Sequence, residues 1–231
     1  MLDSKYQRFY DEIVKKIKKE KIFTDKLHTL AYGTDASFYR LIPKIVIKTD
    51  NAKEVQDIIE LSNSLNLSIT FRAGGTSLSG QAISDSILVI TSRNFSNFKI
   101  APDASYISLQ PALTGAQVNG LLARYSKKIG PDPASINAAM IGGIAANNAS
   151  GMCCGISQNS YKTLKSMKLI FADGTKLDTA DENSKDEFRI SHAAFLQDLR
   201  NFSNETKSNE ELRAKIEKKF KIKNTCGYSI N

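Results

Sequence analysis

Residues 72–81 read Arg-Ala-Gly-Gly-Thr-Ser-Leu-Ser-Gly-Gln. Gly74 and Gly75 carry no Cβ and reach positive φ without strain, so consecutive backbone N–H groups can turn into one concavity and admit an anion closely. Thr76, Ser77 and Ser79 add hydroxyl donors, and Arg72 adds a positive charge. Donors of this kind suit a pyrophosphate. Two familiar phosphate loops fail on spacing. A Walker A loop ends in Gly-Lys-Ser/Thr, and no lysine occurs between Lys53 and Lys99. A Rossmann fingerprint opens a helix with G-x-G-x-x-G, whereas the next apolar run here, 87–90, has the character of a strand. Taken alone, the loop reads also as a tight turn between two strands.

A second stretch changes that balance. Residues 141–151, Ile-Gly-Gly-Ile-Ala-Ala-Asn-Asn-Ala-Ser-Gly, are almost all small, and they come after Gly130-Pro131-Asp132-Pro133-Ala134-Ser135, a rigid extended breaker. Asn147, Asn148, Ala149, Ser150 and Gly151 are a poor centre for a core helix. Backbone lining a ligand is the better reading, with amides free to bond the edge of a polar ring. Acid–base candidates are scarce. His28 and His192 are the only histidines, and both have structural or exposed settings. Cys153, Cys154 and Cys226 fit neither a disulfide framework, a zinc site nor a four-cysteine iron–sulfur run. The adjacent pair Cys153-Cys154 reads as small residues in a packed turn rather than as a redox couple.

The elements that must position these loops emerge from periodicity. Tyr6, Phe9, Tyr10, Ile13 and Ile17 form one stripe of a helix over 4–20. A strand at 45–47 leads through Asp50 or Asn51, either of them an N-cap, into a helix over 52–65 with Val55, Ile58, Ile59 and Leu65 inward. Strands come next at 67–71 and 87–90, so strand, helix, strand, glycine loop and strand make a small α/β unit with at least one parallel crossover. Beyond residue 101 a strand at 105–111, a helical stripe of Val118, Leu121, Leu122 and Tyr125, and a hairpin around Asp173-Gly174 are expected. From 180 to 222 the chain turns charged and helical, with Phe195, Leu196, Leu199 and Phe202 in one stripe and Leu212, Ile216 and Phe220 in another.

The net charge of +8 raises a nucleic-acid reading. The lysines concentrate at 15–21 and 215–223, where aromatic and aliphatic residues recur at helical intervals, so amphipathic helices with solvated basic faces are expected and no nucleic-acid partner. A basic scaffold module without catalysis, binding nucleic acid or docking peripherally on a membrane, is the alternative. The opening MLDSKYQRFYDE has no apolar signal core, and the weakly polar run 138–146 is far short of the ~20 residues that span a bilayer. A soluble, cytoplasmic chain is expected, with room for peripheral association with the inner face of the respiratory membrane.

Four blocks stand in a telling order: RAGGTSLSGQ at 72–81, GPDPAS at 130–135, IGGIAANNASGM at 141–152 and LIFADGT at 169–175. Together they resemble the FAD-binding domain of the vanillyl-alcohol oxidase, or PCMH, type. The likeness is strongest to bacterial FAD-linked D-2-hydroxyacid dehydrogenases of the D-lactate and D-2-hydroxyglutarate kind, in the long form with a C-terminal iron–sulfur domain. YGTDASFYR at 32–40 and NSY at 159–161 resemble that subgroup as well, and the likeness runs from about residue 24 to the end.

The resemblance implies an α+β fold of two subdomains, a small α/β one at 41–101 and a larger one at 102–231 with a mixed or antiparallel sheet, helices and a helical insertion at 180–222, after a helical extension at 1–40. It implies FAD wrapped at its pyrophosphate by Arg72, Ala73, Gly74, Gly75, Thr76 and Ser77, with Gly80 and Gln81 finishing the turn. It implies that Asp132, Pro133, Ala134, Ser135, Ile141, Gly142, Gly143, Asn147, Ala149, Ser150 and Gly151 line the flavin and ribityl chain, and that Pro111 belongs to the cofactor-binding set. Thr76 stands where covalent members have histidine, which implies noncovalent FAD. Ala73 and Ala112 replace usual glycines. The ending KNTCGY at 223–228 looks like a block that family members continue further, which implies a C-terminally truncated fragment. In the intact enzyme a D-2-hydroxyacid would lose a hydride to FAD; the substrate and proton-transfer residues, and any iron–sulfur cluster, would lie in the missing part, leaving the fragment inactive alone.

Overall fold

The computed structural model describes residues 2–151, 155 and 157–221. Its centre is a four-stranded sheet in the order β1-β2-β4-β3, formed by β1 (Ile22–Phe23), β2 (Ile45–Thr49), β3 (Ile69–Arg72) and β4 (Ile87–Thr91). β2 and β3 both run parallel to β4, with Ile47 and Phe71 each opposite Val89, while β1 is antiparallel to β2. β2 and β4 are runs of branched aliphatics buried on both faces, the pattern of a covered parallel sheet. Alternation splits their side chains: Ile45, Ile47, Ile87 and Val89 face Phe9, Ile13 and Ile58, whereas Val46, Leu88 and Ile90 pack with Phe23 and Tyr32.

α3 (Ala52–Leu65) carries the chain from β2 to β3. Asn51 caps it by accepting from the Glu54 N–H, and it closes at Asn66, whose φ of 51° allows Leu67 N–H to donate to Ser62 O at 2.9 Å. That closure occupies residues 66 and 67, so β3 begins at Ile69 rather than at 67. α1 (Ser4–Ile13) lies on α3 and completes the core.

The helix expected over 4–20 ends at Ile13. The basic stretch 15–21 is a turn and a short 3-10 segment rather than a solvated helical face, because several of its lysines have fixed partners. Lys16 reaches Asp57 at 2.9 Å, and Lys21 bridges Asp50 at 2.7 Å and Glu54. These pairs pin the turn to the start of α3, and Ile17 still reaches the core.

After β4 come the ribbon β5 (Phe98–Ile100) and β6 (Ile107–Leu109), α4 (Gly115–Leu122), α5 (Ile141–Ala146), α6 (Ser160–Thr163) and the ribbon β7 (Lys168–Ile170) and β8 (Lys176–Asp178). α4 starts in a capping box between Thr114 and Gln117 and packs Val118 and Leu122 against Ile100, Ile107 and Leu109. The β7–β8 turn is the expected one, with Asp173 accepting from Thr175 N–H and Gly174 at φ 88°. α7 (Glu182–Ser191), α8 (Ala193–Ser208) and α9 (Glu210–Phe220) complete the described chain. Phe188 and His192 stack at 4.1 Å beside Phe171, and His192 Nε2 meets Asp173 at 2.9 Å, which ties the α7–α8 corner to the ribbon. The α8 stripe is helical as expected, yet Phe195, Leu199 and Phe202 are exposed.

Candidate functional site

β3 delivers the chain to the carboxyl edge of the parallel strands, where ligands of open α/β sheets collect. The glycine loop begins there. An added Cβ on Gly74 would stand 2.3 Å from the Ala138 carbonyl oxygen, and one on Gly143 would stand 3.3 Å from the Ala73 methyl. Gly142 lies under Pro111 and donates its N–H to Pro111 O at 3.0 Å; Gly151 lies so close on Asp132 that a Cβ would fall 1.6 Å from its carboxylate oxygen. Stretches far apart in sequence thus meet backbone to backbone. The bareness of Gly74, Gly142 and Gly151 serves this block-to-block packing.

The free donors lie elsewhere in the loop. Among the described residues, the N–H groups of Gly74, Gly75, Thr76, Ser77 and Leu78 have no protein acceptor. Gly74 to Ser77 are partly buried and Leu78 is exposed, and a row of backbone donors without a protein partner at a sheet edge is open to an anion. Gly75 supports the row with φ 67°, a conformation open to glycine. Ser77 Oγ turns inward instead, accepting from the Ser79 and Gln81 N–H groups and donating to Gln81 Oε1 at 3.1 Å. Arg72 braces the loop: its Nη1 donates to Thr34 O at 2.7 Å and Tyr32 O at 3.4 Å. Burial pushes its pKa down, against the opposing pull of Asp35 and the Tyr32 phenol.

The second stretch is part helix. α5 covers Ile141–Ala146 and stops where the asparagines begin, with Asn148 at φ 41° and Ala149 N–H donating to Ile144 O at 2.9 Å. The NSY motif anchors the residues just past this helix. Asn159 caps α6, the single Ser160 hydroxyl proton is shared between the carbonyls of Ile144 and Ala149, each 2.9 Å from Oγ, and Tyr161 N–H donates to Asn148 Oδ1 at 3.0 Å. Ala149 and Gly151 are buried, Asn147 is exposed, and Ile141, Gly142, Gly143 and Ser150 lie between. On the extended segment, Ala134 is exposed, while Asp132, Pro133 and Ser135 are partly covered and Ser135 O accepts from Ala138 and Ala139. Met152, Cys153 and Cys154, like Cys226 and the KNTCGY block, lie outside the described residues. Neither histidine enters the site, since His28 pairs with Asp25 and His192 with Asp173.

A row of backbone amides at the carboxyl edge of a parallel sheet, walled by small residues, fits a dinucleotide diphosphate. Residues 43–180 match the family described as the FAD binding domain. The chain belongs to that FAD-binding family. FAD is accordingly its cofactor. The chain is 27% identical over 172 residues to the D-2-hydroxyglutarate dehydrogenase of Haemophilus influenzae, covering 71% of this chain and 16% of that protein. It is 30% identical over 135 residues to glycolate oxidase subunit GlcD of Escherichia coli K12, covering 55% of this chain and 27% of the relative. The chain therefore spans less than a third of either relative. A solved structure of alkyldihydroxyacetonephosphate synthase shares the fold, with a TM-score of 0.65 at 17% identity over 80% of this chain and 39% of that one. No helix among the described residues is long and apolar enough to cross a membrane.

Proposed function

We propose that this chain is the FAD cradle of a flavin-dependent dehydrogenase acting on a D-2-hydroxyacid, with the loop 72–81 around the pyrophosphate and the segments 132–135 and 141–151 along the flavin and ribityl chain. The five unpartnered amides from Gly74 to Leu78 carry the reading. They supply backbone donors without a protein acceptor where the diphosphate charge would sit, and the family match supplies the cofactor. When bound, FAD provides the hydride acceptor. The chain's own residues bind and orient it. Thr76 offers no imidazole for a flavin bond, so the cofactor is held noncovalently. The names of the relatives favour a 2-hydroxyacid substrate. With both histidines engaged outside the site, the proton-transfer groups are assigned to sequence beyond this chain. The division at residues 40 and 101 belongs to the same proposal. A positive net charge and the exposed α8 stripe favour peripheral membrane contact, tested by liposome co-sedimentation.

The test is a visible absorption spectrum of the purified chain before and after adding FAD and removing the excess. A retained, perturbed flavin band, released into the supernatant on acid precipitation, is expected. A folded chain by circular dichroism that retains no flavin refutes the cradle as a self-sufficient unit.

A further inference from the structure

The glycine loop does not hold its shape alone. Ser77 ties Ser79 and Gln81 within it, Gly74 packs on the Ala138 backbone, and hydrogen bonds from residues 32–40, folded back on themselves by a Thr34–Arg40 bridge, hold it from the other side. Before the row of free amides, Thr34 O takes the Arg72 guanidinium, and within it Ala36 N–H donates to Gly75 O at 3.0 Å. After the row, Asp35 Oδ2 accepts from Ala82 N–H at 3.3 Å while Oδ1 accepts from Ser37 N–H at 2.8 Å. Tyr39 closes the far side, its ring atoms 3.0–3.4 Å from where a Cβ on Gly80 would stand. The matched family domain starts at residue 43, so this support comes from outside it.

We propose that residues 32–40 are a clamp that sets the glycine loop in its phosphate-receptive shape, with Tyr39 and Asp35 as positioning residues for the cofactor diphosphate; this rests on the FAD reading above. Donors held in place before binding need no ordering when the anion arrives, so the clamp acts on affinity. Tyr39 suits such a role, because it is 62% exposed and adds little to the core.

The test uses the full chain with Tyr39→Ala, Tyr39→Phe and Asp35→Ala. FAD affinity is read from flavin fluorescence, hydrogen exchange at the Ala36 and Ala82 amides by mass spectrometry or NMR, and stability from urea unfolding. Asp35→Ala, which removes the acceptor of the Ser37 and Ala82 N–H groups, and Tyr39→Ala, which removes the ring packed on Gly80, are each expected to weaken FAD binding about tenfold and to speed exchange at both amides. For Tyr39→Ala the urea midpoint should stay in place, and Tyr39→Phe, which keeps the ring on Gly80, should match the parent. Parent-like affinity and exchange in Tyr39→Ala, or an equal loss in Tyr39→Phe, overturns the clamp. A parent chain that binds no FAD defeats the FAD reading instead, and the exchange comparison then decides the clamp by itself.

Discussion

Gly75→Ala places one methyl group where two separate costs meet. At φ 67° an alanine sits in the left-handed region, which costs roughly 1–2 kcal/mol. Its Cβ would also lie 2.6 Å from Arg72 Nη2 and 2.8 Å from Cζ. The guanidinium must give way, and it is held at 2.7 Å on Thr34 O, a charge-assisted bond whose loss costs about 1.5–3 kcal/mol. Both costs fall on one loop and relax together, so a combined penalty of about 3 kcal/mol is the working figure. The protein can express it as weaker FAD binding if the loop moves, up to roughly 100-fold, or as lower stability if the loop stays strained. Flavin titration and urea unfolding on the same sample measure both shares. Gly120→Ala is the control, because nothing lies within 4 Å of its added methyl and it sits inside α4, where alanine should stabilise by up to about 1 kcal/mol. A summed penalty for Gly75→Ala below about 1 kcal/mol, fivefold in affinity, would refute the argument that loop and brace are coupled.

The packing sets two further outcomes. Burial raises the Asp57 pKa, but hydrogen bonds from Lys53 and Lys16, with their charges, outweigh it and hold the carboxyl below its ordinary value. The pairs therefore stabilise the fold above the unfolded carboxyl value of about 3.9, and the contribution disappears as pH falls through the lower folded value. Asp57→Asn should lower neutral-pH stability by about 1 kcal/mol, a figure kept small by the exposure of both lysines, and flatten the acid limb of a urea-midpoint-against-pH curve. Gly151→Ala drives a methyl into Asp132 and should cost about 1–3 kcal/mol with loss of retained flavin; an unchanged melting temperature would contradict the close backbone contact.

Much of the architecture is legible because it is local. The β2–α3–β3 unit, the cap at Asn51 and the Asp173-Gly174 turn each arise from a handful of adjacent residues whose period or turn chemistry has one good solution. What escapes is pairwise and distant. Nothing near Lys21 in sequence announces Asp50, and nothing near Gly74 announces the Ala138 carbonyl. For the same reason the packing of Gly142 on Pro111 and of Gly151 on Asp132 has no local signal. The one signal for the clamp is local: Asp35 two residues before Ser37 is an Asx-turn signature, set in a block the family resemblance had singled out.

The strand order has a consequence for how the chain is made. β4 sits between β2 and β3 yet is synthesised after both, so β2 can pair only with β1 and β3 with no strand until residues 87–91 leave the ribosome. At a rate of about 5–20 residues per second the β2–α3–β3 unit waits on the order of a second with its inner edges bare. The β2 edge is rich in branched apolar residues, the kind that recruits foreign strands. Residues 73–86, which include the glycine loop, must be translated during the wait, so lengthening this segment prolongs the exposure and shortening it denies β4 its slot.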